Sequence, residues 1–163
     1  MVQRPSQRFT ETPPDLAFEF QVRATLGEPI EQGTWEERRR RIIPILGGTA
    51  LGPRFKGRVL PGGADWQTIR QADGVAQIFA RYTLQHDDGT IVGVTNPGLR
   101  RGPAEVMARL AAGEEVDPAS YYFRTSPQFE VGPGPHQWLA DNVFICVGKR
   151  WPAAVEIDFY RVT

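Results

Sequence analysis

The chain is poor in the residues that would staple, charge or anchor it. Its single cysteine, Cys146, cannot form an intramolecular disulfide, so the fold rests on a core, which 163 residues are enough to build. Basic and acidic residues number 19 each, and a pI near 6.7 supplies no global field to draw the chain onto nucleic acid or anionic lipid. Neither nucleic acid nor membrane is an expected partner. No apolar run is long enough for a membrane span or a signal peptide, and the expected location is cytoplasmic. Of the two histidines, His86 precedes Asp87-Asp88-Gly89 in a turn, while Cys146 sits in the apolar run 143–147. No His/Cys/Asp set shows metal-ligand spacing, and no metal is expected. No Gly-x-Gly-x-x-Gly opens a helix after a strand, and there is no Walker loop or Gly-x-Ser-x-Gly elbow. Nucleotide cofactors and serine hydrolysis are thereby disfavoured.

What the chain has in excess is turn chemistry. The 17 Gly and 14 Pro make up about 19% of it, against roughly 12% in average proteins. Both residues break helices, so the composition predicts many short elements in an all-β fold. The length suits one domain, with residues 1–14 as a polar, proline-bearing tail and 15–163 as the folded unit. Arginine outnumbers lysine 17 to 2. Coding-genome base composition accounts for such a bias, and so do arginines set inward as planar donors for an oxyanion or carbonyl.

Along the chain, Leu16, Phe18, Phe20 and Val22 alternate with polar neighbours, the period of a half-buried strand. Thr34 to Arg41 is charged around Trp35 and reads as a solvated loop or strand lip. Ile42 to Ile45 and Val59-Leu60 run into Gly47-Gly48 and Pro61-Gly62-Gly63, which read as strands ended by turns. Val75 to Gln85 and Thr90 to Thr95 flank Asp88-Gly89, a strong hairpin signal. Pro103 to Ala112 is the one helical window, with Val106, Met107 and Leu110 on one face and Gly113 at its end. Tyr121 to Phe129, Gln137 to Val147 and Ala153 to Val162 read as further strands. Eight to ten strands in neighbouring hairpins must hide their edges, and a closed antiparallel β-barrel with one short inserted helix at about 103–112 does so most completely. Its interior, or its mouth, is then the place for a small molecule.

Five strings fall in an order that resembles one family: Arg40-Arg41-Ile42-Ile43-Pro44-Ile45 with Gly47-Gly48, Pro61-Gly62-Gly63-Ala64-Asp65-Trp66-Gln67, Arg81-Tyr82-Thr83-Leu84, Tyr122-Phe123-Arg124-Thr125 and Trp138-Leu139. The chain is similar, from about Leu16 to Val162, to the family catalogued as domain of unknown function 3237, also uncharacterised protein family 0311. The resemblance implies an antiparallel β-barrel and little chemistry. Two positions depart from the family pattern: Ala140-Asp141-Asn142 stands where an Asn directly after Trp138-Leu139 is usual, and Val131 replaces a Thr after Phe129-Glu130.

Candidate catalytic residues are Asp65, Glu130, Arg124 and Tyr82. Asp65, behind two glycines and beside Trp66, either acts as a general base with a raised pKa or caps its own turn. Glu130, if it shares the cavity, would split its pKa from that of Asp65 to give an acid and a base; otherwise it is an exposed strand end. Arg124 and Arg41 would polarise a carbonyl or pair with the acids. Only one of Arg81 and Tyr82 points inward, and Tyr82 shares a side with Ile78, Ala80 and Leu84. Candidate ligand-binding residues are Arg41, Trp66, Gln67, Tyr122, Phe123, Trp138 and Asn142, with the aromatics walling a flat ligand or filling the core. The expectation is a cofactor-independent enzyme of the isomerase, cyclase or lyase type acting on an apolar oxygenated metabolite. The alternatives are a non-catalytic barrel binding a small molecule and a solid structural barrel; a homodimer is the expected assembly.

Overall fold

Period-two alternation produces eleven strands in a computed structural model that describes residues 11–163. They are β1 (Leu16–Leu26), β2 (Ile30–Trp35), β3 (Arg38–Leu51), β4 (Lys56–Val59), β5 (Gly63–Arg70), β6 (Ala76–His86), β7 (Ile91–Arg101), β8 (Tyr122–Thr125), β9 (Gln128–Glu130), β10 (Phe144–Trp151) and β11 (Ala154–Val162). One helix, α1 (Ala104–Ala111), follows β7 and buries Val106, Met107 and Leu110, close to the window expected for it. Of the expected tail, residues 1–10 lie outside the described residues, and 11–14 are exposed and irregular.

Eight strands close a ring in the order β1, β3, β5, β6, β7, β8, β10, β11 and back to β1, with every pairing antiparallel. Closure by β1 on β11 leaves no free edge in the ring. The three remaining strands are appended: β4 bridges β3 and β6, β2 extends β3, and β9 adds to β7.

Several local expectations change once the ring is seen. Gly47-Gly48 is not a turn, because β3 runs through it and the register against β1 shifts between Thr25 and Leu26. Glycine is required there by close approach: a Cβ on Gly48 would lie 2.0 Å from Arg23 O. The arginines 38–41 belong to β3, entered through a tight turn in which Glu36 and Glu37 both have positive φ, the backbone of a hairpin whose twist matches its strands. The 121–129 stretch divides into β8 and β9, and Gln137–Leu139 is a 3₁₀ turn, with β10 starting only at Phe144. A bulge at Glu19 turns the alternation of β1 over, leaving Leu16 and Phe18 exposed.

The barrel interior has two halves of different chemistry. One is solid with phenyl rings: Phe20 stacks on Phe159 at 4.5 Å, Phe55 lies 5.1 Å from Phe20, and Phe129 meets Phe144 edge-on at 5.0 Å. The other is lined by aliphatic side chains and a group of buried polar ones, around a cavity.

Candidate functional site

Strand alternation decides which side chains reach that cavity. On β5, Asp65 and Gln67 are buried while Trp66 between them is 43% exposed. On β3, Arg41, Ile43 and Ile45 face inward; on β8, Phe123 and Thr125; on β6, Ile78, Ala80 and Tyr82. Arg100 and Asn96 from β7 and Arg150 from β10 complete the polar lining. The cavity is about 50 Å³, room for about four water molecules. Among its lining residues Leu26 and Val155 alone are half-exposed, which places its opening at that end of β1 and β11.

Asp65 is 9% exposed and is held by two direct partners, one of which is held in turn by Arg41. Oδ1 accepts the Phe79 backbone N–H at 2.9 Å, Oδ2 accepts Gln67 Nε2 at 2.9 Å, and Gln67 Oε1 accepts Arg41 Nε at 3.0 Å. The β5–β6 ladder pairs Asp65 with Ala80 and next Thr68 with Gln77; within that gap the carboxylate takes an N–H that would otherwise go without a ladder acceptor. Burial pushes the Asp65 carboxyl above the usual carboxylate range, against the pull of its hydrogen bonds and of Arg100 and Arg41.

Three guanidiniums surround this single acid. Arg41, Arg100 and Arg150 are all buried, and among the described residues none of them makes a salt bridge. Arg150 donates to the carbonyls of Trp151 and Ala154. Burial, with Arg150 and Arg41 nearby, brings Arg100 down to about 10, still charged at neutral pH. Four buried polar atoms of lining residues have no hydrogen-bond partner: Tyr82 Oη, Asn96 Oδ1, Thr125 Oγ1 and Arg100 Nε. Such atoms are costly unless something meets them.

Thus Asp65, Tyr82, Arg41, Gln67 and Phe123 come together as candidates expected to share a site. The others do not. Glu130 ends β9, outside the ring, in an outer hollow with Trp66, Arg81 and Gly93, so it never shares a wall with Asp65. Arg124 and Tyr122 alternate outward from Phe123 and Thr125, with the guanidinium 5.2 Å over the Tyr122 ring. Trp138 lies beyond the phenyl half, against Phe144 and under Arg54 at 3.8 Å, and Asn142 Nδ2 donates to the Trp138 carbonyl. Arg100, Arg150, Asn96 and Thr125 are additions to the expected set. Their signal was the alternation itself: Val92, Val94, Asn96 and Arg100 share one parity, as do Phe144, Cys146 and Arg150. The strands expected at Thr90 to Thr95 and Gln137 to Val147 stop short of both arginines, which β7 and β10 run on to include.

A further grouping was not expected. The Asp88-Gly89 hairpin and the 131–136 loop bring His86, Asp88 and His136 within reach of a common metal ion. Here they are linked to one another: His136 Nε2 lies 2.7 Å from Asp88 Oδ2, and Asp88 N–H donates to His86 Nδ1 at 3.0 Å, while His136 Nδ1 is buried without a partner.

The chain matches the family described as protein of unknown function (DUF3237) over residues 14–162. It is 42% identical over 148 residues to an uncharacterised family 0311 protein of Rhodopseudomonas palustris (strain TIE-1), covering 91% of this chain and 96% of that one. The crystal structure of a conserved protein of unknown function from Rhodopseudomonas palustris superposes with a TM-score of 0.88 at 40% identity, covering 95% of this chain and all of the other. A more distant likeness, 33% over 84 residues and 52% of this chain, is to a hydroalkoxylation enzyme of Penicillium herquei, of which it covers 55%. The crystal structure of an enzyme from Penicillium herquei shares the fold at a TM-score of 0.72 and 19% identity, covering 96% of this chain.

Proposed function

The chain belongs to the DUF3237 family, and from that premise we propose that its barrel is a cofactor-independent enzyme acting by acid/base catalysis on a small oxygenated organic molecule held in the interior cavity. The observation that carries this reading is Asp65: a lone carboxyl in a buried polar site, with a raised pKa and a fixed orientation, facing the cavity. A general acid or base works best when its pKa lies nearer the working pH than that of a free carboxylate. Arg41, Arg100 and Arg150 would stabilise negative charge developing on a substrate oxygen, in a site lined mostly by buried residues, and Tyr82 Oη stands unpartnered as a neutral donor.

Isomerisation, cyclisation and elimination all suit this set, because each moves a proton without a net change in oxidation state. The likeness to a hydroalkoxylation enzyme supports the cyclisation branch. In such an addition the hydroxyl proton leaves to the carboxylate, oxygen bonds to one alkene carbon, and a proton is delivered to the other. No atom is gained or lost. Binding without turnover is the second reading, favoured by the small size of the cavity.

The test is a panel of hydroxy-enones, ketones, lactones and polyketide-like phenols incubated with the wild-type chain and with Asp65→Asn, with products read by mass spectrometry. Turnover by the wild type and a fall of about 10²-fold or more in the variant is the expected result. Equal rates would remove Asp65 from the chemistry.

A further inference from the structure

The barrel interior is charged unevenly, and the imbalance specifies what enters it. Arg41, Arg100 and Arg150 line the same cavity as one carboxyl, Asp65. Since the described residues supply no salt bridge to any of the three, at least two positive charges there are unmatched. Arg100 is the extreme case. It is 2% exposed, its Nε has no hydrogen-bond partner, and its guanidinium rests 5.5 Å from the face of Phe123. A fold gains nothing in stability from an arginine buried in this way. Arg41 commits Nε to Gln67 and Arg150 commits Nη1 to two backbone carbonyls. Beside them, Tyr82 Oη and Thr125 Oγ1 are hydroxyl donors without acceptors.

We infer that the cavity recognises a small organic anion, a carboxylate-bearing molecule whose acid group seats on Arg100, with Arg41 and Arg150 flanking it and Tyr82 and Thr125 donating to its oxygens. The inference rests on the cavity being the functional site and narrows the substrate class for that reading. A guanidinium meets a carboxylate through paired N–H donors, a geometry that lysine cannot offer. The cavity volume of about 50 Å³ admits an acid head group, and the opening at Leu26 and Val155 gives the rest of the molecule an apolar exit. Arg100 is a binding residue here, and Asp65 remains the proton carrier.

The experiment compares glycolate, malonate and benzoate with their uncharged amides, by calorimetry and by thermal shift on the full chain. At least one acid should bind and raise the Tm in a concentration-dependent way, while its amide does not. Arg100→Gln should weaken that binding by tenfold or more and raise the Tm of the ligand-free protein by about 3 °C, because an unmatched buried charge is removed. If that variant fails to fold, Arg100→Lys keeps the charge, removes the paired donors and should show the same loss of affinity. No binding by any of the acids, acids and amides binding alike, or unchanged affinity in the arginine variants would overturn the inference. Asp65→Asn separates the two proposals. Acid binding kept in that variant while turnover is unchanged defeats the role of Asp65 alone; turnover lost with no preference for acids defeats the anion site alone.

Discussion

A carboxylic acid inside a barrel has a protonation state that is part of the fold. Asp65 has its pKa raised by burial, so between its unfolded value of about 3.9 and its higher folded value the native chain holds a proton that the unfolded chain has lost. Stability linked to this group is therefore fully present below the unfolded pKa and declines as pH rises through that window, up to the folded pKa. Asp65→Asn removes the decline, so the variant should gain on the wild type as pH increases across the window, as measured by urea unfolding at a series of pH values. A difference between the two chains that does not change with pH would contradict a raised carboxyl. The same residue shows what could be read locally. Its place behind two glycines and next to Trp66 marked it as a candidate, and Tyr82 was separable from Arg81 by parity. The carboxylate's actual partner, the Phe79 N–H on the neighbouring strand, is set by the register between two strands.

Among the elements, β3 departs furthest from the strand expected at Ile42 to Ile45. It runs for 14 residues, pairs with β1 on one side, and passes from β5 to β4 on the other, with Gly47-Gly48 at the crossover. Turn residues there looked like a strand end because glycine marks both turns and close approaches. Gly48→Ala places a methyl group against the Arg23 carbonyl and should cost on the order of 3 kcal/mol. Gly62→Ala, at φ +105° with nothing within 4 Å, should cost only conformational strain, roughly 1–2 kcal/mol. Chemical denaturation of both variants checks the order; a Gly48→Ala chain as stable as Gly62→Ala would mean that β1 and β3 can separate there. Strand ends differ from the expected ones for a related reason: β7 passes through Pro97 and Gly98 because Phe79 and Ile78 of β6 still pair opposite them.

For the molecule as a whole, the decisive contact joins its two ends. β1 pairs with β11, some 137 residues away at Gln21 and Asp158, and the ring has no edge only while that seam is closed. Ending the chain at Trp151 would expose the free sides of β1 and β10 together. The shortened chain should lose its cooperative thermal transition and associate, as followed by near-UV circular dichroism and gel filtration. A monomer that still melts cooperatively would show that the seam is dispensable. Among the described residues no helix is long and apolar enough to cross a membrane.

The sequence by itself determined the strand count to within the appended pieces, the hairpin at Asp88-Gly89, the helix after Gly102, and the parity that sets Tyr82 on one side with Ile78, Ala80 and Leu84. These depend on a two-residue period and on turn residues, which are local physics. Only the tertiary structure decided which inward-facing residues share one chamber. Parity is silent on depth along the barrel, and depth follows from the register of strands far apart in the chain. That register sets Arg100 and Arg150 beside Asp65, where three guanidiniums face a single carboxyl, while a 3₁₀ turn carries Trp138 beyond the phenyl half and the appended β9 keeps Glu130 outside the ring.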